Sequence, residues 1–101
     1  MTRSDDAAAD AMLLVAIVEM APGNAESGRR YEDAVLALLE RHGGSVERRL
    51  RSGDSGTEVH VIRFRSRAGY DSFMVDPDRL AHRANLGDAA PTTRVIEVSE
   101  A

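Results

Sequence analysis

Apolar positions along the chain switch between a two-residue and a helical period, and the switches mark out its elements. Met12 to Met20, MLLVAIVEM, is almost wholly apolar, which predicts a strand with two apolar faces. Leu13, Val15 and Ile17 point one way, and Leu14, Ala16 and Val18 the other. The turn signal APGN, Ala21 to Asn24, ends it. A helix is predicted from about Ser27 to His42, with Tyr31, Val35 and Leu38 on one face alongside Ala34 and Leu39, and Gly43 and Gly44 stop it. SVERRLR, Ser45 to Arg51, alternates Val46 and Leu50 with charges and reads as an edge strand guarded by arginines. SGDSG, Ser52 to Gly56, reads as a hairpin loop, and TEVHVIRFR, Thr57 to Arg65, as a third strand. Ser66 is a predicted N-cap for a second helix with Tyr70, Phe73 and Met74 on its apolar face. Asp76 and Pro77 restart that helix as a cap followed by proline, to about Ala84. TTRVIEV, Thr92 to Val98, is the last strand. Residues 1–10 read as a polar tail, and 11–101 as one domain.

The order β-α-β-β-α-β predicts an α+β fold of the ferredoxin-like split βαβ type: a four-stranded antiparallel sheet with both helices on one face. The first and third strands lie centrally in that arrangement. One face of MLLVAIVEM then meets the helices, while the other would stay in water as an apolar patch larger than monomers tolerate. A second copy packed sheet against sheet resolves this, so a homodimer burying on the order of 1,600 Å² or more is expected.

Composition narrows the function classes. The chain is 43% hydrophobic and 30% charged, which is globular, and its 4% aromatic content leaves little surface for stacking bases. Thirteen basic against 17 acidic residues give a net charge of -4, so nucleic acid and anionic membranes are not expected partners. All the basic residues are Arg, read here as coding bias in a GC-rich genome. No cysteine is present, which excludes disulfides, zinc-thiolate sites and thiol nucleophiles. The start, MTRSDDAAAD, is acidic where a signal peptide carries positive charge, and the following apolar run is too short to span a bilayer; a cytoplasmic location is expected.

Two short motifs, VIRFRS at Val61 to Ser66 and FMVDPDRL at Phe73 to Leu80, carry a family likeness. With the element order, they make the chain resemble the dimeric α+β barrel superfamily, and within it the small barrel proteins of unknown function in which a strand ending in Phe and Ser leads into a helix broken by Asp-Pro. The resemblance covers about Met12 to Val98. It implies a paired-sheet barrel, and relatives that include cofactor-free monooxygenases, lactone isomerases and haem-binding enzymes as well as proteins without assigned activity. Arg63 stands where the narrower group commonly has an acidic residue, a departure that weakens any transfer of a role to this position.

His60 is the leading chemical candidate. With Arg51 opposite Thr57, the register sets Arg48 beside His60 and Leu50 beside Glu58, so Val46, Arg48, Leu50, Glu58, His60, Ile62 and Phe64 share a face. A carboxylate, an imidazole and a guanidinium among apolar neighbours suit acid-base work, and equally form an ion-pair cluster on a half-buried strand. Tyr31 and Tyr70 lie on inner helix faces as hydrogen-bond donors to a cleft or as core residues, with Phe64 and Phe73 as its apolar wall. Arg63 and Arg65 are candidate anion ligands, with solvated edges or dimer salt bridges the alternative. His42 is expected to cap a helix end and His82 to lie on a polar helix face.

GDSG at Gly53 to Gly56 resembles the nucleophile segment of trypsin-like proteases, but it sits at a hairpin tip in a chain too short for two barrels. Glu58 and His60 supply only two of three metal ligands, and no phosphate-binding or dinucleotide-binding glycine pattern occurs, so no metal and no cofactor are expected. The chain is expected to be a small homodimer binding a small apolar or aromatic acidic metabolite between helices and sheet. The alternatives are a cofactor-free monooxygenase or isomerase with His60 as base, Arg48 holding an anionic oxygen and Tyr70 or Tyr31 donating a hydrogen bond, or a structural or regulatory dimer without ligand.

Overall fold

β1 (Met12–Glu19) alternates strictly between buried and half-buried residues along most of its length, with Met12, Leu14, Ala16 and Val18 inside. The computed structural model describes residues 10–101, so nine residues of the predicted tail lie outside the described residues. After β1 come α1 (Ala25–Leu36), β2 (Gly44–Arg51), β3 (Thr57–Phe64), α2 (Arg67–Met74), α3 (Pro77–Leu86) and β4 (Thr92–Val98). The sheet is antiparallel throughout, in the order β2-β3-β1-β4. The ferredoxin-like α+β arrangement with β1 and β3 central is therefore the one expected. Among the described residues, no helix is long and apolar enough to cross a membrane.

The helices cover one face. Tyr31 and Val35 of α1 and Phe73 of α2 pack on Met12, Leu14, Ile62 and Phe64 of the sheet, with Leu38 and Leu39 closing one end. Phe64 is 1% exposed, and burial of a side chain of that size stabilises by roughly 1.5–3 kcal/mol. Its ring meets Tyr70 edge-on at 5.6 Å and Phe73 at 5.7 Å.

The helix predicted to reach His42 stops earlier. The Leu38 amide bonds back only three residues, to the Val35 carbonyl, and a 3₁₀ turn at Leu39–His42 follows. The tighter turn brings Leu38 and Leu39 into the core together, and Gly43, at φ 74°, ends it in a left-handed conformation.

His42 has a role other than the expected helix cap. Its Nε2 lies 2.6 Å from Asp76 Oδ2 and its Nδ1 2.6 Å from Ser72 Oγ, clasping the turn to α2 and α3. Gly69 makes this approach possible, because a Cβ there would collide with the His42 carbonyl. Ser66 and Asp76 cap α2 and α3 as predicted, accepting from the amides of Gly69 and Asp78. The His42 hydrogen bond is the main cause that holds the Asp76 carboxyl down at about 2, against the opposing effect of burial.

The uncovered face of the sheet is apolar along its middle. Register places Leu13, Val15 and Ile17 of β1 beside Val61 and Val59 of β3 and beside Ile96 and Val98 of β4, with Leu50 of β2 next to Val59. Leu50 is 45% exposed.

Candidate functional site

Between the covered sheet face and the helices lies a cavity of about 230 Å³. Its floor is Leu14, Ala16 and Val18 of β1, His60 and Ile62 of β3, and Thr93 and Val95 of β4. Strand alternation decides this membership, since each residue sits two positions from the next on its strand. Tyr31, Glu32 and Val35 of α1 form one wall, Tyr70, Phe73 and Met74 of α2 another, and Arg79 and Arg83 of α3 the third.

His60 on the floor and Glu58 behind it are both buried, at 1% and 0% exposure. His60 Nε2 lies 2.8 Å from Glu58 Oε1. Glu58 also accepts from Arg49 Nε at 2.8 Å, Arg49 Nη2 at 3.3 Å and Arg51 Nε at 3.0 Å, and Arg49 reaches Asp33 Oδ1 at 2.6 Å. Burial alone would raise the Glu58 carboxyl; hydrogen bonds from Arg49, His60 and Arg51 overcome it and bring Glu58 to about 2. An ionised carboxylate only accepts, so the proton of a neutral His60 sits on Nε2 and Nδ1 keeps a free lone pair. Nδ1 stands 4.0 Å from Glu32 Oε1.

Glu32 is 5% exposed on the inner stripe of α1. Burial, reinforced by the charge of Glu58, lifts its carboxyl to about 7 against the pull of Arg49, Arg79 and Arg83. The cavity thus pairs a permanently ionised carboxylate behind the imidazole with a carboxyl in front that gains or loses a proton near neutrality, a separation of roles typical of acid-base sites. Arg79 lies over the Phe73 ring at 5.4 Å and donates from Nη1 to the Met74 carbonyl at 3.0 Å. Its buried Nε has no hydrogen-bond partner among the described residues.

Of the residues singled out from the sequence, His60, Tyr31, Tyr70, Phe64 and Phe73 all line the cavity, and Glu58 supports His60 from behind. Arg48 does not join them. Ser52 closes the hairpin on Thr57, so Arg51 faces Glu58, Arg49 faces His60 and Arg48 faces Val61 on the opposite side of the sheet. The loop is one residue shorter than predicted, and a one-residue slip exchanges the faces of a strand. A bulge between Val46 and Arg48 absorbs the slip, which is why Val46 still meets Ile62 as expected. Arg63 also lies outside the cavity: it is exposed, alternates away from Phe64, and pairs with Glu47 at 2.6 Å. Glu32, Arg49, Arg79 and Arg83 were not singled out. Glu32 follows Gly28 by four and precedes Val35 by three, and Arg79 and Arg83 are four apart on α3, so helical spacing carried a signal for each.

No family model matches the chain, and no curated protein matches it. Solved structures do. SnoaB, a cofactor-independent oxygenase from Streptomyces nogalater, superposes with a TM-score of 0.71 at 18% identity, over 91% of this chain and 94% of that one. The protein Rv0793 from Mycobacterium tuberculosis gives 0.66 at 25% identity, over 90% and 97%. A candidate antibiotic biosynthesis monooxygenase from Nitrosomonas europaea gives 0.72 at 13% identity, over 88% and 97%. The chain has the ferredoxin-like α+β fold of these neighbours.

Proposed function

We propose that the chain is a homodimeric α+β barrel protein that binds a small, largely apolar metabolite in the cavity between helices and sheet, with His60 as a general base. The observation that supports this is His60, buried on the cavity floor with Nε2 held by Glu58 and Nδ1 turned toward Glu32 of the cavity wall. A base so placed can take a proton from a phenol or from a carbon next to a carbonyl. At about 230 Å³ the space is below the roughly 300–1,000 Å³ of drug-sized sites, which favours a ligand of one or two rings.

A second reading, cofactor-free oxygenation or isomerisation, is favoured by the fold shared with SnoaB, a cofactor-independent oxygenase. In an oxygenation, removal of a proton by His60 leaves a carbanion that reduces O₂; one oxygen enters the product as a carbonyl and the other leaves as water. Isomerisation returns the proton to another carbon of the same ligand.

Pairing through the uncovered sheet face completes the reading, supported by the apolar rows at Leu13, Val15, Ile17, Val59 and Val61. A cytoplasmic location is part of the same proposal. Thermal denaturation against a panel of aromatic and lactone-like metabolites tests it: a ligand of the native cavity raises the melting temperature, and His60→Ala abolishes turnover of any substrate found. No stabilisation by any compound, or full turnover by His60→Ala, would refute it.

A further inference from the structure

We infer that Arg79 and Glu32 form a headgroup subsite that takes the carboxylate of a small aromatic monocarboxylic acid, with the ring lying on the apolar floor. The inference rests on the cavity reading above and names the chemistry of its ligand. Two observations carry it. Arg79 lines the cavity and pairs with no carboxylate among the described residues, while its Nη1 is bonded to the Met74 carbonyl and its plane is steadied over Phe73. A guanidinium beside an apolar cavity without a counter-charge is uncommon, and an anionic oxygen is the partner it recognises best. Glu32 lines the same cavity from α1, so a carboxylate bound there would lie between a fixed cation and a carboxyl that donates a hydrogen bond once protonated.

The charge inventory supports a monoanion. Arg49 is engaged by Glu58 and Asp33, and Arg51 by Glu58, so both are committed to the floor. Arg83 donates to the Pro91 carbonyl at 3.2 Å and contributes positive potential at the rim. The groups acting on Glu32 are His60 and Glu58 from β3, Arg49 from β2, and Arg79 and Arg83 from α3. With Glu32 protonated, the cavity wall carries the two cations of α3, Arg79 and Arg83, and one bound carboxylate would halve that charge. A bound anion disfavours the charged form of Glu32 further, so binding near neutral pH takes up a proton.

Isothermal titration with cinnamate and its neutral counterpart cinnamamide tests this on the intact protein. Cinnamate should bind at least tenfold more tightly than cinnamamide. Arg79→Met, which keeps the stem over Phe73, should erase that preference. At pH 7, titrations in buffers of different ionisation enthalpy should show uptake of up to about half a proton per cinnamate, absent in Glu32→Gln. Equal binding of acid and amide, a preference kept by Arg79→Met, or proton uptake unchanged in Glu32→Gln would overturn the subsite while leaving the cavity reading intact. Binding of neither compound would overturn the subsite as well, and the metabolite panel above then decides the cavity reading.

Discussion

Replacing Glu58 by Gln removes one charge and nothing of the shape. In the wild type, the fully buried carboxylate holds Arg49, Arg51 and His60 within 2.8–3.0 Å of its oxygens. Deleting one partner of a buried ion pair costs roughly 3–5 kcal/mol, because the other charge is left uncompensated. Here Arg49 keeps Asp33 at 2.6 Å, and the two guanidinium side chains are 26% and 39% exposed, so water reaches them. The loss should fall at the low end, about 3 kcal/mol. For a domain of this size that is a fall in melting temperature of roughly 12–24 °C, read by differential scanning calorimetry at fixed protomer concentration. The acid limb adds an independent check. The Glu58 carboxyl titrates near 2 in the folded protein against 4.5 when unfolded, so its contribution is present above pH 4.5 and is lost as pH falls toward 2. Glu58→Gln should flatten the stability profile in that window and converge on the wild type at its acid end. A loss below about 1 kcal/mol, the range of exposed pairs, with an acid limb as steep as the wild type's, would refute the claim that this cluster is a buried charged unit.

Glu32→Gln should act in the opposite sense. Its carboxyl is raised from 4.5 to about 7, so the ionised form weakens the fold increasingly as pH rises through that interval; the variant should lose this decline and be the more stable protein at pH 8 in denaturant titrations. A variant less stable than wild type at pH 8 would contradict the assignment. Val15→Asp places a charge in the middle of the uncovered sheet face and should leave the chain monomeric in sedimentation velocity where the proposed wild-type pair is dimeric, whereas a wild type that sediments as a monomer at high concentration would remove the case for pairing.

Much of this architecture was legible because it rests on period and punctuation. β1 is apolar at every position but its last, β4 is bounded as predicted at Thr92 and Val98, and the caps at Ser66 and Asp76 stand where short polar side chains precede helical spacing. Those signals are local. The site depends instead on register, which one loop residue changes: Ser55 at φ 63° tightens the hairpin, and the partner of His60 becomes Arg49 in place of Arg48. Nothing in a polar run such as VERRLR marks where a bulge will fall. Glu32 and Arg79 were obscured for another reason, since charged residues on helices are solvated by default and only the depth of the cavity reveals two of them turned inward.

The central claim is that His60 presents a free Nδ1 to a ligand while Glu58 holds Nε2. Long-range ¹H–¹⁵N correlation spectra of protein labelled at histidine measure it directly. The account predicts the Nε2–H tautomer for His60 in the wild type and a shift of the Nδ1 resonance when a stabilising ligand is added. A proton on Nδ1 in the neutral ring, or a His60 spectrum unmoved by a ligand that stabilises the protein, would contradict it.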